Sequence, residues 1–221
     1  MKTAPVLAGL IAAAFATAAL APIALAQAPA AGARPAAPAF VPEKDASKIR
    51  DGAYVVEPDH TRTMFGISHK SFTTFYGEFR DLTGSLNLNV KNPSASTLEI
   101  HIPVKTISTQ IDHLNEELRH KPWLDADTWP EMTFKSTTVK VTGPGTADVT
   151  GDFSFHGQTH PLTLHVKFNA AGVDPNDKYY VAGFTVTGAF SRKAWGFTTG
   201  EPMIGDDIDL MIQAAFKKPQ A

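Results

Sequence analysis

Ile208-Asp209-Leu210-Met211-Ile212-Gln213-Ala214-Ala215-Phe216 sets Ile208, Leu210, Ile212, Ala214 and Phe216 at alternate positions. Successive side chains of a strand point to opposite faces, so one face of this segment is apolar along its whole length. The same period recurs upstream. Leu98, Ile100, Ile102 and Val104 alternate, and Thr61, Thr63, Phe65 and Ile67 alternate with Arg62, Met64, Gly66 and Ser68. Phe75 to Leu88 reads as a strand bent or bulged at Gly77 and Gly84. Met132–Val141, Ala147–Phe155, Pro161–Phe168 and Tyr179–Phe190 follow, with Ala53–Val56 as a short first strand. Glu57-Pro58-Asp59, Lys91-Asn92-Pro93-Ser94, Gly143-Pro144-Gly145 and Asp174-Pro175-Asn176-Asp177 supply the turns. Turns this short join antiparallel strands. The expected fold is all-β, an eight-stranded antiparallel barrel of roughly the width that holds its own side chains or one slim ligand. A β-sandwich is the structural competitor.

The period changes once. After Ser108, Ile111, Leu114 and Leu118 share one helical face, with Thr109 as the expected N-cap. Arg119, His120 and Lys121 sit where the helix dipole favours cations, and Pro122 stops the helix. One short amphipathic helix is therefore expected near 109–121. Trp123-Leu124 and a loop to Trp129-Pro130 follow it.

The ends read differently. Residues 1–26 resemble a secretory signal: Met1-Lys2, an apolar stretch from Val6 to Leu25, and an A-x-A site at Ala24-Leu25-Ala26. Residues 27–50 are Ala/Pro-rich without apolar period and are expected to form a disordered tether. The barrel domain is expected over 51–218. Export implies a periplasmic protein of a Gram-negative bacterium. The chain has no cysteine, which excludes a disulfide scaffold and lipid attachment at a cysteine. A net charge of −2 without a cationic stripe argues against nucleic acid as a partner.

Three segments carry a family resemblance. The first runs from Tyr54-Val55-Val56-Glu57-Pro58-Asp59-His60-Thr61 through Phe65-Gly66-Ile67-Ser68-His69 to Gly77-Glu78-Phe79. The second joins Trp129-Pro130-Glu131-Met132-Thr133-Phe134 to Gly151-Asp152-Phe153-Ser154-Phe155-His156-Gly157-Gln158-Thr159-His160-Pro161-Leu162. The third is Phe190-Ser191-Arg192-Lys193-Ala194-Trp195-Gly196-Phe197, with Gly205-Asp206-Asp207-Ile208-Asp209-Leu210 after it. Together they resemble the YceI-like family of exported bacterial proteins. The resemblance implies a lipocalin-like barrel whose lumen takes a long isoprenoid, a polyprenyl chain or a quinone tail, by binding and not by catalysis. It implies no cofactor, and homodimers occur among relatives. Two departures stand out: Glu117 replaces the usual His before Leu118, with Trp123-Leu124-Asp125 after it, and Lys193-Ala194-Trp195 replaces Ser-Asp-Phe beside Arg192.

The chemistry-bearing residues do not form a catalytic pattern. The eight histidines make no H-x-x-x-H helix pair and no H-E-x-x-H, so no metal is expected. Asp174-Pro175-Asn176-Asp177-Lys178 lacks the ligand spacing of a calcium loop. There is no G-x-S-x-G elbow and no nucleotide fingerprint. The residues expected to hold the ligand are Phe65, Ile67, Phe79 and Leu86 early in the chain, then Ile100 and Ile102. Leu118 and Trp123 are expected to gate one end. Phe134, Phe153, Phe155, Leu164 and Val166 follow, and Phe190, Arg192, Trp195 and Phe197 complete the set. Arg192 is read either as a partner for a polar head group or as an ion pair with the Asp206-Asp207 region. The function expected is enclosure of a long isoprenoid for transport or storage. The alternatives are an accessory subunit of an envelope or membrane redox complex, and a lipid-modifying enzyme.

Overall fold

The computed structural model of the protein describes residues 40–219. The expected signal peptide and residues 27–39 of the tether lie outside them. Ten strands form one sheet: β1 (Gly52–Val56), β2 (Arg62–His69), β3 (Thr73–Phe79), β4 (Thr83–Leu88), β5 (Thr97–Pro103), β6 (Glu131–Gly143), β7 (Thr146–Phe155), β8 (Gln158–Val173), β9 (Tyr180–Ser191) and β10 (Ile204–Lys217). Eight of them, β1-β4-β5-β6-β7-β8-β9-β10, close on themselves through the antiparallel pairing of β1 with β10. The eight-strand antiparallel closure is thus present. The two additional strands, β2 and β3, extend the wall at one end.

Their placement follows from the length of β10. Its N-terminal part pairs with β2 from Ile204 to Gln213, and its last residues pair with β1 at Phe216 and Lys217. β1 and β2 therefore share one edge of β10, separated by the turn at Glu57-Pro58-Asp59. Buried Glu57 builds that turn. Its carboxylate accepts from the backbone N–H of Asp59 (3.1 Å) and His60 (2.9 Å), and it lies 2.7 Å from His60 Nδ1. Beyond β3 the wall is completed by a single bridge, Glu78 to Ser108, made of two 2.9 Å backbone hydrogen bonds.

Phe75–Leu88, read above as one strand, is two. Asp81 takes a left-handed conformation (φ 56°) and turns the chain between β3 and β4. The helix, α1 (Asp112–Arg119), is shorter than expected, and its N-cap is Ile111. Thr109 does not cap it. Its backbone N–H and Oγ1 both donate to Asn115 Oδ1 at 2.7 Å, pinning the approach segment to the first turns of the helix. The tether also ends sooner than residue 50. Glu43 exchanges two backbone hydrogen bonds with Ala171 of β8, and Ile49 is buried. Tyr54 is wholly buried, donates to the Arg50 carbonyl at 2.6 Å, and has its phenol pKa pushed up by burial. Among the described residues no helix is long and apolar enough to cross a membrane.

Candidate ligand-binding cavity

The barrel encloses a cavity of about 680 Å³, well within the roughly 300–1,000 Å³ typical of small-molecule sites. At one end it is bounded by Leu114 and Leu118 of α1, Trp123, and His69, Phe75 and Ile204. At the other it reaches Ala46, Pro93, Val141 and Gly145. The wall between is made of the strands' inward phases. β10 supplies Ile208, Leu210, Ile212, Ala214 and Phe216, β8 supplies Leu162, Leu164, Val166 and Phe168, and β5 supplies Leu98, Ile100 and Ile102.

β6 changes phase on the way. Met132 and Phe134 point inward at even positions, Val139 and Val141 at odd ones. A register shift between Ser136 and Thr138 inserts the extra residue, and Ser136 Oγ accepts from the Leu98 N–H at 2.8 Å.

Glycines explain how so many large side chains leave a lumen. Inward-phase Gly77 faces Phe65 across β2 and β3, and a Cβ there would stand 2.5 Å from the Phe65 ring. Gly151 likewise seats the Phe134 ring (2.6 Å), and Gly188 the Leu164 side chain (2.8 Å). Each large side chain lies back against bare backbone of a neighbouring strand. None has to stand across the bore.

Every residue expected at the ligand site lines this cavity except Trp195. Trp195 lies on a 3-10 turn, Arg192–Trp195, where the strand period no longer applies. Its indole packs edge-on against Phe153 (5.6 Å) and Phe190 (5.1 Å), and Nε1 donates to the Phe153 carbonyl at 3.0 Å. It buttresses the wall from behind. Phe168 and Phe184 also line the cavity, as does the apolar face of β10 from Ile208 to Phe216; none of these was among the expected site residues, although their strand period was visible.

Arg192 is fully buried, and each of its three nitrogens donates to a backbone carbonyl. Nε donates to the Gly205 carbonyl (2.6 Å), Nη1 to Phe197 (3.1 Å) and Thr199 (2.7 Å), and Nη2 to Ile204 (2.9 Å). Burial pulls its pKa below the ordinary guanidinium value, against the opposing pull of Glu201 and Asp206. Asp206 turns away, accepting from Ser191 Oγ (2.8 Å) and the Lys193 N–H (2.9 Å). Arg192 therefore organises the β9–β10 connection through carbonyls; neither the head-group role nor the ion pair describes its contacts. The other ionisable side chain lining the cavity is His69. No group of three or more His, Asp or Glu among the described residues is placed to hold a metal.

Trp123 ties the helix to the mouth. Its Nε1 donates to Glu117 Oε1 at 2.8 Å, using the residue that departs from the family pattern. Ile111, by contrast, lies off the inward face and is exposed.

The model of the YceI-like domain matches residues 54–216. The chain belongs to the YceI-like family. A UPF0312 protein of Pseudomonas savastanoi pv. phaseolicola is 32% identical over 168 residues, covering 75% of this chain and 87% of the relative. One from Yersinia pestis is 32% identical over 156 residues, covering 71% and 80%. Among solved structures, Burkholderia cenocepacia BcnA superposes on this YceI-like chain with a TM-score of 0.65 at 18% identity, over 72% of this chain and 98% of its own. A polyisoprenoid binding domain from Saccharophagus degradans, implicated in plant cell wall breakdown, gives 0.56 at 14% identity, over 77% and 100%. At such identities the structures share the barrel fold with this YceI-like chain.

Proposed function

We propose that the protein binds a long isoprenoid, a polyprenyl or quinone-like chain, inside its barrel and carries or stores it outside the cytoplasmic membrane. The observation that carries this reading is the cavity: long, enclosed along its flanks by strands, and lined predominantly by aliphatic and aromatic side chains. Burying apolar surface is worth roughly 25 cal/mol per Å². A slim chain of several isoprene units touching such a wall along its length gains many times the thermal energy, less the cost of immobilising it. The polyisoprenoid binding domain with the same fold supports the choice of ligand class. Binding without turnover is favoured because the wall holds no pair of titratable groups suited to acid–base work. The signal-like residues 1–26 support export to the periplasm.

The test is native mass spectrometry of the protein purified without detergent from its producing cells, followed by solvent extraction. A bound species with isoprene mass spacing is expected. A ligand-free mass, with no uptake of added polyprenyl lipids, would remove the carrier reading and leave the accessory-subunit alternative.

A further inference from the structure

Thr63 is the one inward-facing hydroxyl of β2 with nothing to bond. Thr61, just before β2, and Thr63 within it share the inward phase and line the cavity. Both are buried, with 3% and 5% of their surface exposed. Thr61 is fully occupied: Oγ1 donates to the Glu57 carbonyl at 2.7 Å and accepts from the Ala215 N–H at 3.0 Å. Thr63 Oγ1 is buried and has no hydrogen-bond partner. Its cross-strand neighbours are Phe79 on β3 and Ile212 on β10, both of which line the cavity and neither of which offers a polar side chain.

An unsatisfied buried hydroxyl is a costly choice where valine has the same shape. Thr63 also lies deep. His69, at the mouth, is six residues farther along the same strand, which is about 20 Å at the rise of a strand. We infer that Thr63 is a polar subsite within the lumen, and that the ligand carries a hydrogen-bonding oxygen, an alcohol or a quinone carbonyl, that reaches it. The inference rests on the cavity reading above and narrows it. The cargo is an oxygenated isoprenoid and not a hydrocarbon, and it lies with its polar end inside the barrel and its chain running toward the mouth at Trp123. Arg192 is the weaker candidate for that role because each of its three nitrogens already donates to a backbone carbonyl.

The experiment measures partitioning of phytol and of phytane from detergent micelles into the full chain as purified, for wild type, Thr63→Val and Thr63→Ser. Phytol and phytane share a branched skeleton and differ chiefly in the hydroxyl. Thr63→Val is expected to weaken phytol binding by about three- to tenfold, to leave phytane unchanged or tighter, and to keep the thermal midpoint at or above wild type. Thr63→Ser is expected to restore most of the phytol affinity. Equal effects of Thr63→Val on both ligands, or none on either, would overturn the inference. Failure of the wild type to take up either ligand would instead defeat the cavity reading itself.

Discussion

Replacing Arg192 by methionine keeps the length and apolar stem of the side chain and removes the guanidinium. Four carbonyls, at Gly205, Phe197, Thr199 and Ile204, then lose their donor inside the protein. Hydrogen bonds to a charged group contribute about 1.5–3 kcal/mol each. Against this stands the relief of no longer burying a cation, several kcal/mol in the opposite direction. The net expected loss is about 4 kcal/mol, a large share of the 5–15 kcal/mol that roughly bounds a domain's stability. In thermal terms it is about 10 °C for a domain of this size. Urea titration of wild type and R192M reads the loss as a shift in midpoint at constant slope. Arg192→Lys is expected to recover less than half of it, because an ammonium cannot spread donors over four carbonyls. A stability within about 1 kcal/mol of wild type, accompanied by loss of bound lipid, would refute the architectural role and return Arg192 to a head group.

Three further outcomes are expected. Gly77→Ala should destabilise by about 1–3 kcal/mol, since its methyl would collide with the Phe65 ring. Combining it with Phe65→Ala should cost less than the sum of the two, and strict additivity in a urea double-mutant cycle would argue against the glycine seat. Burial raises the Glu57 carboxyl, but hydrogen bonds from His60 and Asp59 outweigh it and hold its pKa below the ordinary glutamate value. A depressed carboxyl stabilises the fold above its unfolded pKa and loses that contribution as pH falls through the folded one. Glu57→Gln should therefore lower stability at neutral pH and narrow its gap to wild type in acid, measured by urea midpoints across pH. Trp123→Ala removes the indole and its bond to Glu117 at the mouth; release of a bound fluorescent isoprenoid should quicken by about tenfold. An unchanged release rate would locate the exit at the Val141 end.

The wall was legible where the strand period is unbroken. Ile208 to Phe216 lies in one continuous strand, and its even positions face the lumen as the alternation implies. β6 was not legible. Phe134 and Val139 cannot share a face at period two, and the bulge that reconciles them sits at Ser136, with no glycine or proline to mark it. Trp195 was misplaced for a related reason: it came to the site with the family segment Phe190–Phe197, but it lies beyond the end of β9 on a 3-10 turn, where no strand period assigns it a face. The apolar surroundings of Arg192 pointed to something polar at the strand end. Its real partners are main-chain carbonyls, which every residue carries and no residue letter announces. Thr63 went unnoticed because alternation marks which side chains face inward. It says nothing about which of them find a partner, and that is settled only by the neighbouring strands.

The glycine seats make the bore adjustable without rebuilding the frame. Strand number and stagger set the circumference of a barrel, and both are coarse quantities that change in whole steps. Gly77, Gly151 and Gly188 act at different points around and along the wall, each governing how far one large side chain leans into the channel. A substitution at Gly77 or Gly188 would press on a side chain and narrow one sector, whereas at Gly151 it would also meet the Lys135 carbonyl at 2.6 Å and disturb the pairing of β6 with β7. The protein thus holds a set of independent gauges along one tube. The width of the channel can differ from sector to sector while strand number and stagger stay the same.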